Sequence, residues 1–214
     1  MLTKFICLAN SFKEGGRCVA GIAVDLNNNP IIKNGSPKWI RPVCNTPHGE
    51  VPNHIAESFQ LLNVIELEVT RNQPQHYQSE NVIFDEESIR VVGNFDKHQL
   101  ANLCDNRSLI FGNKGKAVSQ ESIGILNHSL MLVSVTEFNI TQRTYEDSLK
   151  KPQIRLIFTY HKIQYDFPVT DPAFLHLYQH NTTILEQAKQ IYLTLSLGIE
   201  WESWHYKLVA GIIP

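Results

Sequence analysis

The sequence predicts an all-β or β-dominated protein with one or two short helices. Apolar residues recur in short runs of strand length, and Gly, Pro and Asn separate these runs. Long helical periods do not alternate with the strands, so a parallel α/β layout is not expected. Small β-barrels suit this pattern because closure of the sheet removes exposed strand edges.

The first half of the chain contains six candidate strands and one candidate helix. Turn residues occur at Asn27–Pro30 and again from Lys33, while residues Phe95–Cys104 have a helical period. The candidate strands are Lys4–Ala9, Arg17–Val24, Trp39–Val43, Leu61–Val69, Val82–Phe84 and Ile89–Val92.

The second half begins after an irregular, Gly-containing and basic stretch, Asp105–Gln120, which is the best candidate for a domain boundary or a functional loop. Asp171 fits a helix N-cap and Pro172 fits the first helical position. The candidate strands are Ser129–Ile140, Ile154–Tyr160, Ile163–Val169, Ile191–Leu197 and Tyr206–Ile213, and the second and third of these form a predicted hairpin around His161-Lys162.

Length and composition are those of an ordinary globular protein. The 214 residues suit one large domain or two small ones, and 43% of them are apolar. No apolar run is long enough to predict a membrane span, and the first residues do not predict a secretory signal. The four cysteines form no CxxC pair, so we expect reduced, mostly buried thiols in a cytoplasmic protein.

The charge is unevenly distributed, although its net value is only −2. Residues 1–44 contain six Lys and Arg against two acidic residues, a balance of +4, so the remaining residues sum to −6. This asymmetry is compatible with a local basic face that meets phosphates. A solvated surface with some clustering of sign explains it as well, and charge alone favours that interpretation.

Motifs for common enzymes are missing from the sequence. Gly112–Lys116 has the wrong spacing for a P-loop, and neither GxSxG nor HExxH occurs. His176 and His180 are four residues apart on a predicted helix, but two further ligands at a telling distance are not found. We therefore predict no metal, no cofactor and no catalytic residue.

The stretch Leu8–Gly21 (LANSFKEGGRCVAG) is the first candidate binding site. It combines polar, cationic and glycine residues that can contact an anion through side chains and exposed backbone N–H groups. A wide hairpin with positive φ at Gly-Gly explains the same residues equally well. The candidate residues are Asn10, Ser11, Lys13, Gly16 and Arg17.

Two further segments add aromatic and polar candidates. Trp39 and Arg41 are two apart on a predicted strand and share a face, as in a platform for base stacking. A core Trp with a snorkelling Arg is at least as good an explanation. Tyr77 could also stack on a base, and Gln78, Glu80 and Asn81 can hydrogen-bond a base edge, although a capped turn explains them too.

Five motifs occur in an order that resembles the dual OB-containing domain family, a bacterial family associated with anti-phage conflict systems. They extend over nearly the whole chain, and the poorest match is residues 109–122. The motifs are ICLANSFKEGGRCVAG, WIRPV, YQSEN, VTDP and LSLG…HYKLVAGII.

The resemblance implies two small OB-like β-barrels, which we place at residues 1–115 and 116–214, with the C-terminal strand as a candidate link between them. It also implies a role in binding nucleic acid or a nucleotide, and the site residues that it implies are Asn10, Ser11, Lys13, Gly16, Arg17, Arg41, Gln78, Glu80 and Asn81. We therefore hypothesise a non-enzymatic binding module in which Trp39 or Tyr77 stacks on a base. In this hypothesis Lys13, Arg17 and Arg41 hold phosphate. Two alternatives remain: an adaptor for a protein partner of a defence complex, and an enzyme acting on a nucleotide through dispersed residues such as Lys13, Glu80 and Asp171.

Overall fold

A computed structural model of the chain describes residues 1–57, 59–146 and 152–214. The described residues form two compact units, Met1–Asp105 and Asn106–Pro214. The division lies between Asp105 and Asn106, whereas the sequence analysis placed the boundary after residue 115. Both positions lie in the irregular stretch Asp105–Gln120, which contains the predicted boundary.

The first unit contains seven described strands, five of which close into a barrel in the order β1-β2-β5-β7-β6. A short α1 helix, Asn53–Ala56, lies between β5 and β6, and a 3₁₀ helix, Lys97–Leu103, follows the barrel. The strands are β1 (Leu2–Lys13), β2 (Gly16–Val24), β3 (Ile32–Lys33), β4 (Ser36–Pro37), β5 (Trp39–Val43), β6 (Asn63–Asn72) and β7 (Asn81–Asn94).

The barrel closes through one parallel pairing. Strand β5 runs parallel to β7, with Arg41 opposite Asn81 and Val43 opposite Ile83, and the other neighbouring strands are antiparallel. The five strands therefore lie in the order first, second, third, fifth and fourth along the chain. The small OB-like barrel predicted for the N-terminal part is thus a closed barrel of five strands.

The barrel interior is filled by one apolar face of each strand. Phe5 and Cys7 of β1 are buried there beside Val19 of β2 and Ile65 of β6. The end of α1 packs on the barrel core, because Ala56 and the nearby Phe59 belong to the same cluster of buried side chains. This arrangement places the tip of the β1–β2 hairpin next to residues 49–53.

The second unit also contains seven described strands, arranged as a sheet β8-β14-β13-β9 and a sheet β10-β11-β12. Its helices are a 3₁₀ turn at Ile110–Gly112, α2 at Gln120–Ile123 and α3 at Pro172–His180. The strands are β8 (Ala117–Ser119), β9 (Leu130–Val135), β10 (Phe138–Arg143), β11 (Gln153–Tyr160), β12 (Ile163–Pro168), β13 (Ile191–Trp201) and β14 (Trp204–Ile213).

The two sheets of the second unit curl toward a second barrel. Strands β9 and β10 are two halves of one bent strand, and a parallel bridge between Val169 and Val209 connects the β12 side to β14. The helix α3 lies between β12 and β13, as α1 lies between β5 and β6 in the first unit. The β-dominated, two-barrel fold class is thus confirmed, and β14 has β8 and β13 as its neighbours.

Several predicted elements are confirmed locally. The His161-Lys162 hairpin forms, with both residues at positive φ, and Asp171 caps α3 by accepting a hydrogen bond from the Phe174 N–H. Of the predicted buried face of α3, Phe174 is buried, whereas Leu175 and Tyr178 are half-buried.

Three predicted strands and one predicted helix differ from the structure. The single strand predicted for residues 129–140 bends at Thr136–Glu137, where the chain leaves one sheet and joins the other. The two short strands predicted at 82–84 and 89–92 are one strand, β7, because bulges let it follow β6 throughout. The helix predicted at 95–104 is a 3₁₀ helix.

Candidate nucleic-acid interface

The opening stretch is a tight hairpin and not a wide loop. Strands β1 and β2 extend to Lys13 and Gly16, so that only Glu14 and Gly15 form the turn, both with positive φ. Such two-residue turns match the twist of the paired strands, which allows the pairing to continue to the tip. The candidate residues Asn10, Ser11 and Lys13 therefore lie on a strand with fixed orientations.

Alternation along these strands sorts the candidate residues onto two faces. Val19 and Ile40 point into the barrel, so their neighbours in sequence point outward. The register then places five of the candidates on one outer face: Ser11, Lys13, Trp39, Arg41 and Asn81. We call these five residues the outer cluster.

Lys13 is the cation of the outer cluster that has no ion pair. Its ammonium finds no carboxylate within 4.0 Å among the described residues. Burial lowers the pKa of Lys13, and the positive charge of the nearby Arg41 acts in the same direction. A lysine in such a position gains from an anionic ligand, because the ligand replaces lost solvation.

Arg41 has its charge matched within the fold. Its side chain is 1% exposed, and its Nη2 lies 3.1 Å from Oε1 of Glu80, which is 5% exposed. The backbone N–H of Arg41 also donates to the Glu80 carbonyl at 2.9 Å. The pair thereby joins β5 to the loop before β7. The predicted contact between Arg41 and a phosphate remains a prediction.

The loop between β6 and β7 holds the remaining polar candidates in a folded turn. Tyr77 and Gln78 are buried, and Gln78 exchanges two backbone hydrogen bonds with Gln75. Asn81 donates from Nδ2 to Gln78 Oε1 at 3.2 Å, while its buried Oδ1 meets no hydrogen-bond donor among the described residues. Tyr77 exposes only 8% of its surface. Its stacking on a base remains a prediction.

Asn10, Gly16 and Arg17 belong to the end of the barrel near α1. Asn10 Nδ2 donates to the carbonyls of Ala56 and Phe59 at 2.7 and 2.9 Å, which ties the helix to β1. A Cβ at Gly16 would lie 2.7 Å from the Val51 carbonyl oxygen, so this glycine permits close packing of the hairpin on residues 50–51.

Arg17 lies in an unusual environment at the hairpin. Its side chain is 11% exposed, and its Nε and Nη1 are buried without a hydrogen-bond partner among the described residues. The guanidinium stacks 4.7 Å from the ring centre of Phe12 and lies 3.8 Å from Oε1 of the exposed Glu57. Phe12 itself is 54% exposed, and the sequence analysis missed it.

Sequence reasoning also missed Lys207, the anchor of the basic loop at 110–116. Lys207 is fully buried, and its ammonium donates to the carbonyls of Ile110 and Asn113 and to Asn113 Oδ1 at 2.6, 2.8 and 2.9 Å. The rings of Tyr165 and Phe167 lie 5.6 and 5.9 Å from the same nitrogen. A single lysine in a β-pattern offered no signal for this role.

The titration of Lys207 gives a pH dependence of stability. Burial lowers the pKa of Lys207 to about 7 in the folded protein, against 10.5 for an ordinary lysine. Between these values the unfolded chain binds more protons, so the unfolding free energy rises with pH, by at most about 1.4 kcal/mol per pH unit. Urea unfolding at several pH values measures this dependence. The unfolding free energy should rise more steeply with pH for the wild type than for Lys207→Met. Equal slopes would contradict this prediction.

The buried thiols and the Asp171 carboxylate have defined surroundings. Burial raises the pKa of both Cys44 and Cys104 to about 12, which leaves these thiols poor nucleophiles at neutral pH. The Asp171 carboxylate accepts backbone hydrogen bonds from Phe174 and Ile212.

The described residues contain no group of three or more His, Cys, Asp or Glu able to hold a metal. Nor do they contain a helix long and apolar enough to cross a membrane.

The fold defines an OB-type protein, built from a closed five-stranded barrel followed by a second, more open one. A family model described as the dual OB-containing domain matches residues 3–212. The chain therefore belongs to the dual OB-containing domain family.

Two solved structures are similar to the whole chain. One is a replication protein A heterotrimer bound to single-stranded DNA, with 10% identity, a TM-score of 0.37 and coverage of 100% of this chain and 49% of that chain. The other is a murine DNA-binding protein bound to double-stranded DNA, with 8% identity, a TM-score of 0.33 and coverage of 100% and 97%. The chain thus spans about half the length of the replication protein A chain. No curated protein matches the sequence.

Proposed function

We propose that this protein is a non-enzymatic module that binds nucleic acid or a nucleotide through phosphate. The observation that carries the proposal is the guanidinium of Arg17, which is buried while its Nε and Nη1 have no acceptor among the described residues. Buried donors without partners are costly and uncommon in stable folds. A phosphate group accepts charge-assisted hydrogen bonds from a guanidinium and would relieve part of that cost.

The surroundings of Arg17 suit such a ligand. Phe12 beside it is 54% exposed and offers a ring for a base, and the nearest carboxylate, on Glu57, is itself 63% exposed and free to move aside. Lys13 follows Phe12 on the same hairpin and faces the opposite side, and no carboxylate of the described residues lies within 4.0 Å of its ammonium. In OB folds the loop between the first two strands is one of the segments that contact oligonucleotides.

We further propose that the protein is cytoplasmic, as its cysteine usage predicts, and that it acts in bacterial defence against phage, as the resemblance implies. Plaque counts on cells carrying the complete defence locus, with and without Arg17→Met, would test this role. Equal protection by both forms would contradict a role for Arg17 in defence.

Arg17→Met should weaken binding without weakening the fold. Methionine keeps an apolar stem against Phe12 and removes the unpartnered N–H groups, so we expect an unchanged or higher melting temperature. We expect the affinity for nucleic acid to fall about tenfold. The slope of log affinity against log salt concentration should fall in magnitude by about 1. Fluorescence anisotropy with labelled single-stranded DNA, single-stranded RNA and duplex, at low and physiological salt, measures both quantities.

Arg90→Met is the matched control, because Arg90 is exposed and belongs to the same unit. It should leave both stability and affinity unchanged. An Arg17→Met protein that melts earlier but binds as well as the wild type would overturn the proposal. If no polymer binds at low salt, a small nucleotide is the next probe. A protein captured in a nuclease-insensitive pull-down would then favour the adaptor alternative.

A further inference from the structure

The second unit contains a basic cleft that the sequence analysis did not define. A cavity of about 310 Å³ lies between residues 114–116 and the sheet β10-β11-β12. Its lining contains four cations and one carboxylate: Lys114, Lys116, Arg143, Arg155 and Asp166. A cavity of this size can hold one nucleotide unit but not a double helix.

Most of the positive charge of the cleft is uncompensated. Arg155 is engaged within the fold, since Nε and Nη2 donate to Asp166 Oδ1 and to the Asp166 carbonyl at 2.6 and 2.7 Å. Arg143 is half exposed and reaches Asp166 only at 3.4 Å. Lys114 and Lys116 form no ion pair within 4.0 Å among the described residues. Such a cleft concentrates anions.

The loop carrying the two lysines is held in place from inside the unit. Buried Lys207 bonds to the carbonyls of Ile110 and Asn113, and its own backbone N–H donates to the Lys116 carbonyl at 2.9 Å. Asn113 Oδ1 accepts from the Gly115 N–H, and Asn113 Nδ2 donates to the Ala117 carbonyl. A preorganised loop loses little entropy when a ligand binds.

A row of aromatic side chains begins at the edge of this cleft. The ammonium of Lys116 lies over the ring of Tyr206 at 6.0 Å. Trp204 lies two residues from Tyr206 on the same face of β14, and Trp201 is its cross-strand partner. Trp204 is 46% exposed and Trp201 is 66% exposed. Glu200 is paired with the buried His205 and faces the other side of the sheet.

The geometry points to a single-stranded nucleic acid as the ligand of this second unit, with backbone phosphates in the cleft and unpaired bases stacked on Trp204 and Trp201. This inference rests on the proposed function, which it deepens by naming the class of nucleic acid. A cationic groove next to exposed aromatic rings is how proteins bind single strands without sequence preference. Bases of a duplex are stacked on each other and are not available to these indoles.

The test uses tryptophan fluorescence of the full chain carrying Trp39→Phe. The chain has three tryptophans, so this substitution leaves Trp201 and Trp204 as the reporters. The probes are an oligo-dT of about ten nucleotides, a length within the site sizes of OB folds, the matching duplex, and inorganic triphosphate. We expect the single strand to quench the fluorescence at low salt, the duplex to quench it far less, and triphosphate to compete.

Variants of the cleft and of the aromatic row complete the design. Anisotropy in the otherwise wild-type chain should show affinity for the oligo-dT about tenfold weaker for Lys114→Ala/Lys116→Ala, with a salt slope lower by about 2. A loss of about tenfold is also expected for Trp201→Ala/Trp204→Ala. The matched control Lys162→Ala/Lys189→Ala removes two exposed lysines of the same unit that do not line the cleft, and it should bind normally.

The outcomes separate this inference from the proposed function. If the oligo-dT binds and only Arg17→Met weakens it, the single-strand site of the second unit is wrong and the proposed function stands. If only the cleft and tryptophan variants weaken it, this inference stands and the role of Arg17 is wrong. Equal quenching by duplex and single strand, or binding of neither, overturns the inference.

Discussion

Replacing Gly21 with alanine is expected to destabilise the first unit by about 4 kcal/mol, at the upper end of single-residue effects. A Cβ at this position would overlap the carbonyl oxygen of Ile6 and lie 2.8 Å from Cδ2 of Phe5. The first of these is backbone of the paired strand β1 and cannot rotate away. The hairpin must therefore separate locally or lose its register at the bulge between Cys7 and Ala9.

Urea unfolding followed by Trp39 fluorescence would measure this effect in the first unit. The background should carry Trp201→Phe and Trp204→Phe, so that the signal comes from β5 alone. Gly93→Ala is the matched control, since a Cβ on that strand glycine meets no atom within 4 Å. We expect Gly93→Ala to change stability by less than about 1 kcal/mol. Similar costs at the two positions would contradict the argument from close packing.

Glu80→Gln is expected to cost about 3–5 kcal/mol, because it leaves the Arg41 charge buried without its carboxylate. The two side chains are 5% and 1% exposed, so water cannot replace the lost partner. The loop before β7 depends on this pair, and its buried residues Tyr77 and Gln78 should become more accessible. Hydrogen exchange of the loop amides would show this local effect alongside the unfolding free energy.

Two controls separate the buried charge from other causes. Glu68→Gln removes a carboxylate that is 57% exposed and, within the described ranges, has the N-terminus as its ion-pair partner, and it should have almost no effect. The double variant Arg41→Met/Glu80→Met removes both charges and should recover much of the stability lost in the single variant. An effect of Glu80→Gln below about 0.5 kcal/mol would refute the role assigned to the pair.

The candidate site could be predicted only in part, because sequence shows which residues are polar but not which way they face. Ser11, Lys13, Trp39, Arg41 and Asn81 come from three separate segments, and strand register brings them to one face. The same register turns Asn10 and Arg17 away from them. The ion pair between Arg41 and Glu80 depends on the parallel pairing of β5 with β7, which no local pattern announces.

The aromatic row and the anchor of the basic loop lay beyond sequence reasoning for a related reason. The two residues of the turn between Trp201 and Trp204 are Glu202 and Ser203, both at positive φ. Glycine or asparagine usually occupies such positions, and its absence leaves this hairpin without a sequence signal. Lys207 resembles any other strand lysine until three acceptors converge on its ammonium.

The sequence by itself determined the β-dominated class, most strands, the His161-Lys162 hairpin and the Asp171 cap, because alternation, turn residues and caps act over a few neighbouring positions. Tertiary structure alone decided the closure through β5 and β7, the bend at Thr136–Glu137, the burial of Arg17, Arg41 and Lys207, and the placing of Lys116 beside Tyr206. These features depend on pairings between residues far apart in the chain, and their free energies come from desolvation and close packing, which exist only once the barrels have formed.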